Sequence, residues 1–120
     1  MPQRLLPTDI EGRTPPSAAH PVRLYTRQME ANTRFPRHTH PWAQVAYSHN
    51  SVLRVQAGDT AWVVPPSRAI WIPPGIEHEV WVVEAAFLRT LYADPSVVTG
   101  ALAQCRVMEV SPLLRELIAA

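Results

Sequence analysis

At 120 residues the chain is long enough for one domain around a single core and too short for two. Its 11 basic and 10 acidic residues leave a net charge of +1, which excludes the basic surface a domain needs to hold nucleic acid or an acidic membrane by itself. Cys105 is the only cysteine, so no intramolecular disulfide and no cysteine-rich zinc site can form; neither a signal-peptide pattern nor a run of roughly 18 apolar residues occurs, and a soluble cytoplasmic protein without a membrane partner is expected.

Residues 1–20 carry four prolines among small and charged residues with no sustained period, and are expected to form a flexible leader. From Val22 the texture changes to short runs rich in Val, Trp, Tyr and Ile, broken by Pro, Gly, Asn and Asp. This punctuation predicts strands at Val22–Met29, Trp42–Ser48, Val52–Gln56, Thr60–Val64, Ala69–Ile72, His78–Val83, Ala86–Tyr92 and Arg106–Val110, hence an all-β sandwich or small barrel over residues 21–110. Asn50, a residue that takes positive φ cheaply, and the pair Gly58-Asp59 mark turns, and Pro65-Pro66 and Pro73-Pro74 lack the donors to continue a ladder and so end strands. After Ser111 the pattern changes again. Ser111 and Pro112 read as a helix N-cap and first position, and Leu113, Leu114, Leu117 and Ile118 repeat at helical spacing, so residues 111–120 are expected to begin a helix that links to a further domain or an interface.

The segment "FPRHTHPWAQVAY" holds the first cluster of chemistry. If it is extended, His38, His40, Trp42 and Gln44 share one face of a strand. A third imidazole follows in "WIPPGIEHEVW", where a turn at Pro73, Pro74 and Gly75 lets His78 open the next strand. His38, His40, Gln44 and His78 together make a nitrogen and oxygen donor set suited to a divalent transition metal: zinc, nickel, iron, copper or manganese. The alternative is a polar group hydrogen-bonded inside the barrel with no metal. His20, in the leader, and His49, in a turn, are expected to be solvated.

These two segments resemble the paired motifs of the cupins. In that family one motif has two histidines separated by one residue and then an acidic residue, and the other has a Pro-x-Gly turn and, after two further residues, a histidine. "HTHPWAQ" matches the first with Gln44 in the acidic place, and "PPGIEH" matches the second; Ser51 and Ser67 stand where the motifs have glycine. Over residues 22–118 the chain is similar to the N-terminal cupin domain of AraC-type transcription regulators, most specifically in "VVPPSRAIWIPPGIEHEV" and "VSPLLRELI". That resemblance implies a cupin (jelly-roll) barrel that binds a small-molecule effector and takes part in a homodimer, with DNA bound only through a C-terminal domain that is absent from this chain.

All four donors are neutral, so a bound dication keeps its full charge and favours an anionic guest. Glu77 and Glu79 flank His78 and should point to the other face of its strand, and Glu84 sits at that strand's far end, which leaves no evident general base. The set therefore suits binding better than turnover. A free-standing cupin enzyme, a dioxygenase or isomerase acting on a small polar substrate, is the alternative function. Trp42 is a candidate wall of an effector pocket and Arg68 a candidate contact for an anionic effector, whereas Trp62, Trp71, Trp81 and Cys105 read as packing residues.

Overall fold

The computed structural model describes residues 4–5, 13–98 and 103–110. They form ten strands: β1 (Arg4–Leu5), β2 (Val22–Met29), β3 (Thr33–His38), β4 (Ala43–Ser48), β5 (Leu53–Ala57), β6 (Thr60–Val64), β7 (Arg68–Ile72), β8 (His78–Val82), β9 (Ala86–Ala93) and β10 (Arg106–Glu109), with a 3-10 turn at Pro95–Val97. One sheet has the order β1-β3-β8-β5-β6 and the other β10-β7-β4-β9-β2. Only the short β1 pairs in parallel, with β3. The chain passes repeatedly from one sheet to the other, so two antiparallel sheets close face to face into the jelly-roll barrel expected from the sequence. Among the described residues no helix is long and apolar enough to cross a membrane.

Alternation decides what lines the interior. In β8, His78, Val80 and Val82 point inward while Glu79 and Trp81 point out. Phe35, Leu53, Val55, Ile70, Ile72, Val80, Val82 and Leu88 fill the space between the sheets, each almost wholly removed from water. Full burial of side chains this size is worth roughly 1.5–3 kcal/mol apiece. β4 is buried on both faces because a second apolar cluster covers its outer side: Val45, Tyr47, Ala69, Trp71 and Val110 pack there, flanked by Leu91, Val98 and Met108. The helix expected from Ser111 lies outside the described residues.

Two details differ from the sequence reading. The sequence pattern assigns no strand to β3, because Pro36 and four charged or polar residues, Thr33, Arg34, Arg37 and His38, interrupt it. The ladder with β8 tolerates the proline by shifting register between Phe35 and His38, so that no N–H is required of Pro36. Asn50 does not use a positive φ; its Oδ1 accepts hydrogen bonds from Phe87 N and Ser48 Oγ instead. Positive φ falls at Gly58, Gly75, Asn32 and Ser67.

Ser67 is a residue in a glycine's place. The turn Pro65–Arg68 is closed by Arg68 N donating to Pro65 O at 3.1 Å, and Ser67, third in the turn, has φ 76°. A left-handed conformation costs an ordinary residue about 1–2 kcal/mol, partly offset by the greater chain entropy that glycine loses on folding. Ser67→Gly should therefore stabilise the domain by about 0.5–1 kcal/mol, read as a higher midpoint of urea unfolding at unchanged slope.

Candidate metal centre

The register shift that accommodates Pro36 also places His38 directly opposite His78, so two imidazoles face each other across one sheet. After His38 the chain leaves β3, runs through residues 39–42 and enters β4 in the opposite sheet. His40 and Trp42 therefore belong to the link and Gln44 to the facing sheet. The single extended strand expected to carry all four side chains does not form; the convergence comes from two sheets meeting at one end of the barrel. The link is tied down by the Pro73-Pro74-Gly75 turn, where Gly75 has φ 79° and its N–H donates to His40 O at 3.0 Å.

The three imidazoles cluster with ring centroids 4.4 Å apart for His38 and His78, 4.9 Å for His40 and His78, and 5.7 Å for His38 and His40. Each ring is oriented by the backbone near it. His38 Nδ1 lies 2.8 Å from Pro36 O, His78 Nδ1 2.8 Å from Ile76 O, and His40 Nδ1 2.9 Å from Trp42 O. A carbonyl only accepts, so each Nδ1 carries the proton, and in the neutral ring Nε2 keeps its lone pair. Such an N–H bond from the non-ligating nitrogen is the usual outer support of a metal-binding histidine.

Gln44 completes the group from β4. Its Oε1 lies 3.2 Å from His40 Nε2, which sets one acceptor against another, while its Nε2 is buried without a hydrogen-bond partner. Either a half-turn of the amide, which lets Gln44 Nε2 donate to His40 Nε2, or a cation between the two acceptors removes that conflict. One potential ligand atom from each histidine lies within 4.8 Å of the others. Tetrahedral bonds of roughly 2.1 Å put two ligands of one ion about 3.4 Å apart, so the most widely separated pair would close by on the order of 1 Å to share an ion. The donor set fits a divalent transition metal.

Rings continue outward from this group. Trp42 stacks on His40 at 4.8 Å and 7°, and Tyr92, fully buried on β9, contacts His40 at 5.3 Å and Trp42 at 5.4 Å. Neither Tyr92 nor Arg13, which reaches Tyr92, was singled out in the sequence. The pairing of Tyr92 with Gln44 depends on which strands become neighbours, and strand alternation alone does not reveal it. Arg68 is not brought to the site. It starts β7, whose other end, Ile72, pairs with Gln44, and it forms an exposed ion pair with Glu109 at 3.3 Å.

Glu77 and Glu79, the carboxylates on either side of His78, are turned away from the histidines. Glu77 pairs with Arg37 at 3.7 Å and Glu79 with Arg34 at 3.6 Å, both on the outer side. Cys105 packs against the core, and burial pushes its thiol above the usual range, so it is not available as a thiolate near neutrality. A groove lined by Ser51, Val52, Arg54, Val83 and Glu84 lies at the far ends of β4 and β8, remote from the histidines.

This fold with this group of histidines is that of the cupin class. Solved structures of that architecture superpose on the chain. They include the SPY1581 protein of Streptococcus pyogenes (TM-score 0.60, 14% identity, 76% of this chain and 81% of that one). An RmlC-like cupin from Shewanella frigidimarina also superposes (TM-score 0.59, 15% identity, 65% and 70%). So does oxalate decarboxylase of Bacillus subtilis (TM-score 0.56, 19% identity, 70% and 24%). Identities this low speak to fold alone. Within the class, residues 20–120 match the AraC-like ligand binding domain, and the chain belongs to that family. It is also 37% identical over 83 residues to the HTH-type transcriptional regulator NimR of Escherichia coli (strain K12), a match that covers 69% of this chain and 30% of NimR.

Gly75 links the turn to the site. Nothing lies within 4 Å of a Cβ built there, so substitution acts through the backbone alone. Gly75→Ala should cost about 1–2 kcal/mol in unfolding free energy and shift the His40 ring resonances in NMR, with those of His49 unchanged.

Proposed function

We propose that this domain is the sensing part of a transcription regulator, and that it holds a divalent transition metal through His38, His40 and His78, with Gln44 Oε1 as a further donor. The observation that carries the reading is the convergence of the three imidazoles, each with its Nδ1 on a backbone carbonyl and one possible ligand atom of each within 4.8 Å of the others. Zinc, nickel, iron, copper and manganese all accept such ligands. Oxalate decarboxylase, which shares the fold, has Mn(II) centres. A bound metal would supply Lewis acidity and open positions for an exogenous ligand. The protein orients the donors, walls them with Trp42 and Tyr92, and turns Glu77 and Glu79 outward.

The effector would occupy the open positions beside Trp42. Binding rather than turnover is the role favoured by the outward ion pairs of Glu77 and Glu79, which leave no general base among the described residues near the histidines. Membership of the AraC-like ligand binding domain family supports effector binding. The likeness to NimR, an HTH-type transcriptional regulator, supports a regulator in which DNA recognition falls outside this domain. The chain spans 30% of NimR's length.

Elemental analysis of protein purified without a polyhistidine tag, after incubation with zinc or nickel and desalting, should give one metal per chain. His38→Ala and His78→Ala should each weaken binding by more than about 100-fold, beyond the range of an outer-sphere change, while His49→Ala leaves it unchanged. Retained stoichiometry in both site variants would overturn the assignment. Replacing the neutral amide by a carboxylate, Gln44→Glu, should tighten divalent metal binding by roughly tenfold or more in a chelator-competition titration.

A further inference from the structure

We propose that Arg13, held against Tyr25 and Tyr92, forms a carboxylate subsite beside the histidine group, and that the guest it selects is a small planar organic acid. The inference rests on the reading of this domain as effector-binding, but not on the metal. Arg13 Nη1 donates to Tyr92 Oη at 3.1 Å, and its Cζ lies 4.8 Å from the Tyr25 ring centroid and 5.8 Å from that of Tyr92. The segment carrying it is anchored by a second bond, Tyr25 Oη donating to Thr14 O at 2.7 Å. The guanidinium is thus fixed on two aromatic faces and is half-buried.

Its charge has no carboxylate partner among the described residues. Arg34, Arg37 and Arg68 are each answered by a glutamate, and Arg13 is not. One N–H is used on Tyr92; four of the five donors of a guanidinium remain, enough for the two parallel bonds by which arginine grips a carboxylate. Position adds the rest. Tyr92 touches Arg13 with its hydroxyl and His40 with its ring, so this cation stands one ring away from three neutral imidazoles and a neutral amide. Among the described residues no carboxylate pairs with this cation: Asp94, which follows β9, accepts from Ser96 N instead, and an anionic guest would answer Arg13. The neighbouring surfaces are flat, with Tyr25 and Tyr92 at 5.6 Å and Trp42 and Tyr92 at 5.4 Å, which favours a planar body over a branched one.

The test compares benzoate with benzamide, a neutral molecule of nearly the same shape, by calorimetric titration of the whole chain, once after chelator treatment and once after zinc loading. Benzoate should bind at least about tenfold more tightly than benzamide. Arg13→Gln should remove that preference without changing the zinc stoichiometry, and Arg13→Lys should restore it only in part, because an ammonium lacks the fork. Equal affinities, no benzoate binding, or a preference that survives in Arg13→Gln would each overturn the proposal, and the comparison on the unsubstituted protein decides even if the variants fold poorly. Zinc stoichiometry reports separately on the metal: benzoate preference without zinc binding would sink the metal assignment and leave the subsite standing, and the reverse result would do the opposite.

Discussion

At one end of the barrel three imidazole N–H groups are each given to a backbone carbonyl two residues away, His38 to Pro36, His78 to Ile76 and His40 to Trp42. These bonds settle which nitrogen of each ring carries hydrogen. In a neutral ring the lone pair then sits on Nε2. Without them the rings would be free to rotate and exchange tautomers, and proximity alone would not amount to a ligand set. Most of what is particular to this site follows from where the backbone puts those three carbonyls.

The fold produces that placement by joining two sheets through a short link. The register shift near Pro36 sets His38 across from His78, the link carries His40 past the Gly75 turn, and β4 brings Gln44 from the facing sheet. Alternation along β8 turns His78 inward and Glu79 outward in one stroke, so the feature that gathers imidazoles also expels carboxylates. A neutral donor set with the Arg13 guanidinium one ring away is the outcome.

Much of this was legible in the sequence because period and punctuation are local. The strands at Val22–Met29 and Thr60–Val64 have the expected bounds, and β4, β5, β7, β8, β9 and β10 differ from expectation by about a residue at their ends. His38, His40 and His78 were recognised as a group from motif spacing, and the structure brings them together, though by a different route from the single strand that spacing suggested. What local pattern could not reveal depended on pairing. β3 was hidden by Pro36, whose missing N–H is harmless only because the ladder shifts there. Tyr92 becomes a neighbour of Gln44 only once β9 lies beside β4, and Arg13 reaches Tyr92 across 79 residues of sequence. Arg68 looked equally available as a charge, and pairing with β10 gave it to Glu109.

The central claim is that three Nε2 atoms are held ready for one ion. Nitrogen-15 NMR of histidine-labelled protein tests it most directly, since protonated, bare and metal-bound ring nitrogens resonate in distinct ranges. The account predicts that in metal-free protein His38, His40 and His78 all carry hydrogen on Nδ1, and that one equivalent of zinc moves all three Nε2 signals together while His20 and His49 stay put. Hydrogen found on Nε2 of these rings, or signals that ignore zinc, would contradict it.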